Sequence, residues 1–189
     1  MPINFDLEKL RITHNCINYF ETGLWDPMDD ISSKNALLCG FEKVFCIEIR
    51  KDWVDLGKDI FKNEIQSNRY HLILDDSVNM NKYIDNNIFT NKTLFFLDAH
   101  VDNDNIHNYT TRVPLFYELE AIKQIERKDN IILIDDLRII NTTYPWNETR
   151  YGNINFLDKI KELILSINEN YKFDTLNGII ENDVLIAYI

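Results

Sequence analysis

Apolar positions along the chain alternate between two periods. Short runs rich in β-branched and aromatic residues recur at Ile17–Glu21, Lys43–Ile49, Tyr70–Asp75, Thr93–Asp98 and Asn130–Asp135. Each is followed by a segment with helical spacing: Ser33–Cys39, Asp52–Asn63, Ser77–Asn86, Pro114–Arg127 and Ile154–Asn168. Strands alternating with helices predict βαβ units and a parallel sheet, and right-handed crossovers put helices on both of its faces. Several strands (VFCIEI, HLILDD, TLFFLDAH, NIILIDD) are almost wholly apolar and end in acid. Runs of that kind are buried on both faces. Their terminal acids then stand on the rim where open α/β sheets bind ligands.

The last stretch breaks the alternation. Tyr171–Thr175 and Val184–Ile189 read as strands with no helix between them, so they must pair as an antiparallel hairpin. The expected fold is a single domain over residues 1–189: α/β, Rossmann-like, with a seven-stranded, mostly parallel sheet, helices on both faces and a C-terminal antiparallel hairpin.

Composition narrows the partners. The 45% hydrophobic and 27% charged fractions are those of a globular chain with a proper core. A net charge of -11 argues against nucleic acid, whose phosphates need a basic surface. Cys16, Cys39 and Cys46 have no metal-type spacing and read as buried thiols in a reducing compartment. No apolar run has the length of a membrane span, and the opening MPINFDLEKLR lacks the pattern of a signal peptide. A cytoplasmic protein with no membrane partner is expected.

Candidate chemistry sits at the strand ends. Phe20-Glu21-Thr22-Gly23 closes the first strand, and its glycine suits a tight turn with backbone close to a ligand. The loop continues Leu24-Trp25-Asp26-Pro27-Met28-Asp29-Asp30. Its acids repel anions, so a ligand with a cationic centre fits better than a pyrophosphate. Glu48, at the tip of the second strand, can accept hydrogen bonds from two ribose hydroxyls. After the third strand comes Asp75-Asp76-Ser77, where Ser77 is a good helix N-cap and Asp76 can reach an adenine amino group.

Leu97-Asp98-Ala99-His100 and Ile134-Asp135-Asp136-Leu137-Arg138 end the fourth and fifth strands, which should be neighbours. Asp98, Asp135 and Asp136 would then converge and repel one another. A divalent cation removes that conflict, and all-oxygen ligation suits magnesium, manganese or calcium. His100 reads as a further ligand or a general base, and Arg138 as a partner for a carboxylate or for an anionic part of a substrate. Alternatively, Asp136 and Asp98 pair with Arg138 and Arg112 and no metal is held. In the helix Pro114–Arg127, Leu115, Leu119 and Ile122 read as core, and Glu118 and Glu120 as a solvated face. His71, inside a strand, reads as structural. The polar loop Val101–Thr111 is long enough to serve as a lid.

Taken in order, Glu21-Thr22-Gly23, Glu48, Asp75-Asp76-Ser77, Asp98 with His100, and Asp135-Asp136 resemble the class I S-adenosylmethionine-dependent methyltransferases over nearly the whole chain. The set Asp98, Asp135, Asp136 is similar to the metal site of the macrocin O-methyltransferase type, which methylates sugar hydroxyls with magnesium. The resemblance implies that Glu21, Thr22 and Gly23 border the methionine part of S-adenosylmethionine. It further implies that Glu48 binds the ribose, that Asp76 and Ser77 lie by the adenine, and that the three aspartates hold the metal. His100 or Asp98 would take the proton, and His100 and Arg138 would meet a glycan or small-molecule acceptor. The first loop departs from the family in lacking its second and third glycines, which motivates a second reading: a cofactor-free binding or scaffold subunit. The chain also lacks the N-terminal helices with which larger members close over substrate, so the acceptor site would be open or completed by a second subunit in a homodimer.

Overall fold

The computed structural model describes residues 3–29, 31–85, 87–99, 114–140 and 155–189. Its elements in chain order are α1 (Leu7–Thr13), β1 (Asn18–Thr22), α2 (Ser32–Leu38), β2 (Lys43–Glu48), α3 (Lys51–Ile60), α4 (Lys62–Gln66) and β3 (Tyr70–Leu74). After a 3₁₀ helix over Ser77–Tyr83 come β4 (Thr93–Leu97), α5 (Leu115–Gln124), β5 (Ile131–Ile134), α6 (Leu137–Ile140), α7 (Phe156–Ile167), β6 (Lys172–Leu176) and β7 (Val184–Tyr188). The strands form one seven-stranded sheet in the order β3-β2-β1-β4-β5-β7-β6. β1 to β5 pair in parallel, and β7 runs antiparallel to both β5 and β6. The expected Rossmann-like sheet with a closing hairpin is what the chain forms. Among the described residues, no helix is long and apolar enough to cross a membrane.

The central strands are apolar on both sides because each side faces its own core. One core gathers Phe20, Phe45, Phe95 and Ile132 from the sheet with Leu119 and Ile122 of α5 and Ile160 and Ile164 of α7. The opposite core gathers Tyr19, Val44, Leu94 and Leu133 with Leu7, Ala36 and Val54 of α1, α2 and α3. Register sets which side chains meet. Phe20 stands opposite Phe45 on one side and Phe95 on the other, and both ring pairs have centroids 5.7 Å apart.

Four local expectations are corrected. α1 was not anticipated; Asp6 caps it by accepting from the Lys9 N–H at 2.8 Å. The helix expected over Asp52–Asn63 breaks at Phe61 (φ -98°, ψ 27°), which is buried in the core and divides α3 from α4. The segment after β3 is 3₁₀ rather than α-helix, and its N-cap is Asp76, whose carboxylate accepts from Val78 N–H at 3.1 Å. Glu118 is fully buried rather than solvated, while Glu120 is exposed. Glu118 falls three residues after Leu115 and four before Ile122, on the same helix stripe, and α5 is covered by both the 3₁₀ helix and α7. The thiols of Cys16 and Cys46 are buried, and Cys39 is half-buried.

His71, on the edge strand β3, stacks flat on Phe45, with ring centroids 4.5 Å apart and planes 12° apart. Its Nε2 is buried without a hydrogen-bond partner among the described residues. Burial, then the nearby Lys43 ammonium, hold its pKa below the ordinary imidazole value of 6.5. The unfolded chain therefore takes up this proton first, and stability is lost as pH falls below about 6.5 toward the folded-state value. Denaturant titrations from pH 7.5 down to 5 should show that loss in the wild type and a shallower one in His71→Phe. Parallel pH profiles for the two proteins would contradict this role.

Candidate functional site

The carboxyl ends of β1 to β5 lie along one edge of the sheet, and the candidate residues follow that edge. The chain leaves β1 through Gly23 at φ 87°, whose N–H donates to Ile47 O at 2.8 Å. A Cβ at this position would lie 2.7 Å from Asp98 O and 3.2 Å from the Ala99 Cα. The first loop thus runs hard against the end of β4, in a conformation that favours glycine. Beyond it, Leu24 and Pro27 are buried against Gly57 of α3, and Trp25 takes a positive φ of 65°.

Glu21 is turned away from the rim. It is fully buried, and its carboxylate accepts from Tyr19 Oη at 2.8 Å, from Ser32 Oγ at 2.5 Å and from the Ser33 hydroxyl. Tyr70 Oη extends the network by donating to Ser33 Oγ at 3.0 Å. Glu21 therefore ties the start of α2 to β1. β1 runs one residue further than the sequence implies, so Thr22 ends it and Glu21 shares a face with Tyr19. Thr22 is buried, and its Oγ1 accepts from Asp98 N–H at 3.3 Å.

Glu48 does stand at the tip of β2. Leu24 N–H of the first loop donates to its Oε2, and Arg50 N–H to its Oε1, each at 2.7 Å. Burial pushes its pKa up, and the backbone hydrogen bonds from Arg50, Leu24, Trp25 and Ile49 only partly oppose this, so it ends above the usual carboxylate value. At the end of β3, Asp75 accepts from Tyr83 Oη at 2.6 Å and Asn79 Nδ2 at 2.9 Å, which fixes the 3₁₀ helix. Asp76 caps that helix beside the buried Ser77.

At β4 and β5 the arrangement differs from the sequence expectation. Leu97 pairs with Ile134, so Asp98 and Asp135 follow neighbouring strand ends. β7 then supplies a residue that sequence reasoning missed. Ile134 pairs antiparallel with Leu185, and that register carried two residues on sets Asp183 opposite Asp136. Among the described residues, the carboxylates close enough to share an ion are Asp135, Asp136 and Asp183, all buried, with ligand atoms within 4.8 Å of one another. Asp98 is not in that group. Asp136 takes a positive φ of 60° as the chain turns into α6.

Arg138 enters this cluster. Its Nη1 lies 2.5 Å from Asp136 Oδ1 and also bonds Asp183 Oδ2, while its backbone N–H donates to Asp183 Oδ1 at 2.9 Å. Burial works against its charge, but Asp136 and Asp183 outweigh burial and raise its pKa above the ordinary value. Asp183 spends both oxygens on Arg138. Asp135 Oδ1 accepts from Asp136 N–H at 2.8 Å. Three carboxylates suit a hard divalent cation in donor type, and one guanidinium already supplies part of the counter-charge. Arg138→Met should therefore lower stability by about 3 kcal/mol. Millimolar magnesium or calcium should recover part of that loss in a thermal melt. An unchanged melting temperature in the variant would contradict the charge balance.

His100, Arg112 and the loop Val101–Thr111 lie outside the described residues.

No family model and no curated relative matches the sequence. Solved structures match its fold. The chain is similar to the O-methyltransferase from Bacillus cereus in complex with SAH (S-adenosylhomocysteine), at 13% identity and a TM-score of 0.57, over 97% of this chain and 78% of that one. It is similar to a methyltransferase from Geobacter sulfurreducens at 14% identity and 0.57, covering 96% and 75%. A third likeness is to SAH-bound Podospora anserina methyltransferase PaMTH1, at 16% identity and 0.55, again over 96% and 75%. The chain has the Rossmann-like fold of these methyltransferases.

Proposed function

We propose that the chain is an S-adenosylmethionine-dependent O-methyltransferase acting on a sugar, a glycan or another small hydroxylated acceptor, with a divalent cation at Asp135 and Asp136. The observation that carries this reading is the order of residues along the carboxyl edge of the sheet. Gly23 ends β1 against β4, Glu48 ends β2, Asp76 and Ser77 follow β3, and paired carboxylates follow β5. Likeness in fold to two SAH complexes supports the choice of cofactor.

The residues fit that cofactor. Gly23 brings the first loop against the end of β4, Glu48 would meet the ribose at the tip of β2, and Asp26 and Asp29 set a negative field for a sulfonium. The bound cofactor supplies a methyl group on a positively charged sulfur. A cation at Asp135 and Asp136 supplies a lowered pKa for an acceptor hydroxyl. The chain's own part is to hold the acceptor oxygen in line with that methyl, where positioning contributes much of the rate. Asp98, at the neighbouring strand end, takes the hydroxyl proton. The direct test is transfer of labelled methyl from S-adenosylmethionine to a panel of monosaccharides, oligosaccharides and small phenols, with magnesium and with EDTA. Magnesium-dependent label on one acceptor class supports the reading. No label on any acceptor by a protein that binds SAH refutes an acceptor of this kind.

A second reading, the cofactor-free binding subunit, draws on a specific observation: Leu24 N–H already occupies Glu48 Oε2, and Asp26 and Pro27 stand where family members carry glycines. In that case SAH produces no heat of binding.

A further inference from the structure

α3 carries its residues in stripes about 100° apart around the helix axis. Val54, Gly57 and Phe61, just past the helix end, face the core and are buried. One position earlier in each case stand Trp53, Leu56 and Ile60, a second apolar stripe beside the first. Leu56 is 37% exposed and Ile60 42% exposed. The first loop extends this stripe, because the Trp25 and Trp53 rings lie 5.2 Å apart. Trp25 is 48% exposed and Met28 71% exposed. A helix that only packed on the sheet would have polar residues at these positions. A contiguous apolar surface edged by charge marks an interaction site.

The edge is acidic. Asp52, Asp55 and Asp59 form the next stripe of α3, and Asp26 and Asp29 follow Trp25 in the loop. Arg50 pairs with Asp52 and Lys51 with Asp55, so these five aspartates and two cations leave the edge with a net negative charge. The face of Trp53 already takes a guanidinium: Arg50 Cζ sits 3.6 Å from its ring centroid. We propose that this surface of α3 and the first loop docks a basic amphipathic segment of another protein, its apolar side on Trp25, Leu56 and Ile60 and its arginines against Asp26, Asp29 and Asp59. Charge decides among the occupants. An anionic membrane is repelled by the carboxylates. A two-fold dimer through this face would set the same aspartates against one another. A basic helix meets both the stripe and its edge.

The test uses the full chain and a fluorescein-labelled helical peptide of roughly 18 residues, leucine at helical spacing and arginine elsewhere. Binding is read by fluorescence anisotropy, and a second peptide carries glutamate in place of every arginine. The pair Leu56→Lys with Ile60→Lys is compared with Ile12→Lys and Leu38→Lys, which make the same charge change at exposed apolar positions on α1 and α2. Thermal melts check that both variants fold. The arginine peptide is expected to bind, the glutamate peptide not, and the α3 pair to weaken binding by about tenfold. The control pair should weaken it by less than about twofold. Equal weakening by the two pairs, or no binding by the wild type, overturns the proposal. So does self-association of the chain that the α3 pair abolishes, which would make a second copy the occupant.

Discussion

Asp135→Ala is expected to slow methyl transfer about 1,000-fold while leaving affinity for SAH within about twofold of wild type. Sheet order gives the reason for the split. Asp135 follows β5, three places from β2 and Glu48 in the order β2-β1-β4-β5, so the acceptor end can be damaged without touching the ribose end. Asp135 also accepts from the Asp136 N–H, and alanine leaves that buried donor without this acceptor. Asparagine separates the two effects, because its side-chain oxygen keeps the hydrogen bond and only the charge is lost. Both variants should turn over about 1,000-fold more slowly, with Asp135→Asn close to wild type in thermal stability. Measured turnover of Asp135→Asn near the wild-type rate would remove the carboxylate, and any cation it holds, from the reaction.

Gly23→Ala carries the second large effect. Two costs fall on the same atom: the new Cβ meets Asp98 O at 2.7 Å, and φ of 87° strains any residue but glycine. The neighbour is backbone at the end of β4 and cannot swing aside. Destabilisation of about 3 kcal/mol is expected, a fall in melting temperature of roughly 6–12 °C for a chain of this size. The strain moves the loop whose Leu24 N–H is bonded to Glu48, so SAH affinity should fall with stability. A variant that melts and binds like the wild type would show that the loop does not approach β4 as described.

The strands were legible because burial on both faces leaves no polar alternation to confuse with a helix, as in Ile131–Ile134 and Thr93–Leu97. The rim acids were legible because each ended such a run. The misses have physical causes. α1 buries only Leu7, so its seven residues carry little helical pattern. Glu21 resembles a rim acid until the strand is extended by one residue, and the pleat then turns it into the protein. Glu118 occupies the Leu115–Ile122 stripe, but a carboxylate there reads as surface unless the covering by α7 and the 3₁₀ helix is known. Asp183 joins Asp136 across an antiparallel pairing of residues far apart in sequence, and local pattern holds no trace of that register. The alternative in which Arg138 neutralises Asp136 was legible, and the contact is present.

The proposed function places S-adenosylmethionine along the ends of β1, β2 and β3. Calorimetric titration of the protein with SAH, with and without magnesium, tests it most directly. Micromolar binding is expected in both conditions, since the Asp135 cluster lies away from Glu48 in the sheet order. No heat up to high micromolar ligand in either condition would contradict it, and would mean a methyltransferase fold kept without its cofactor.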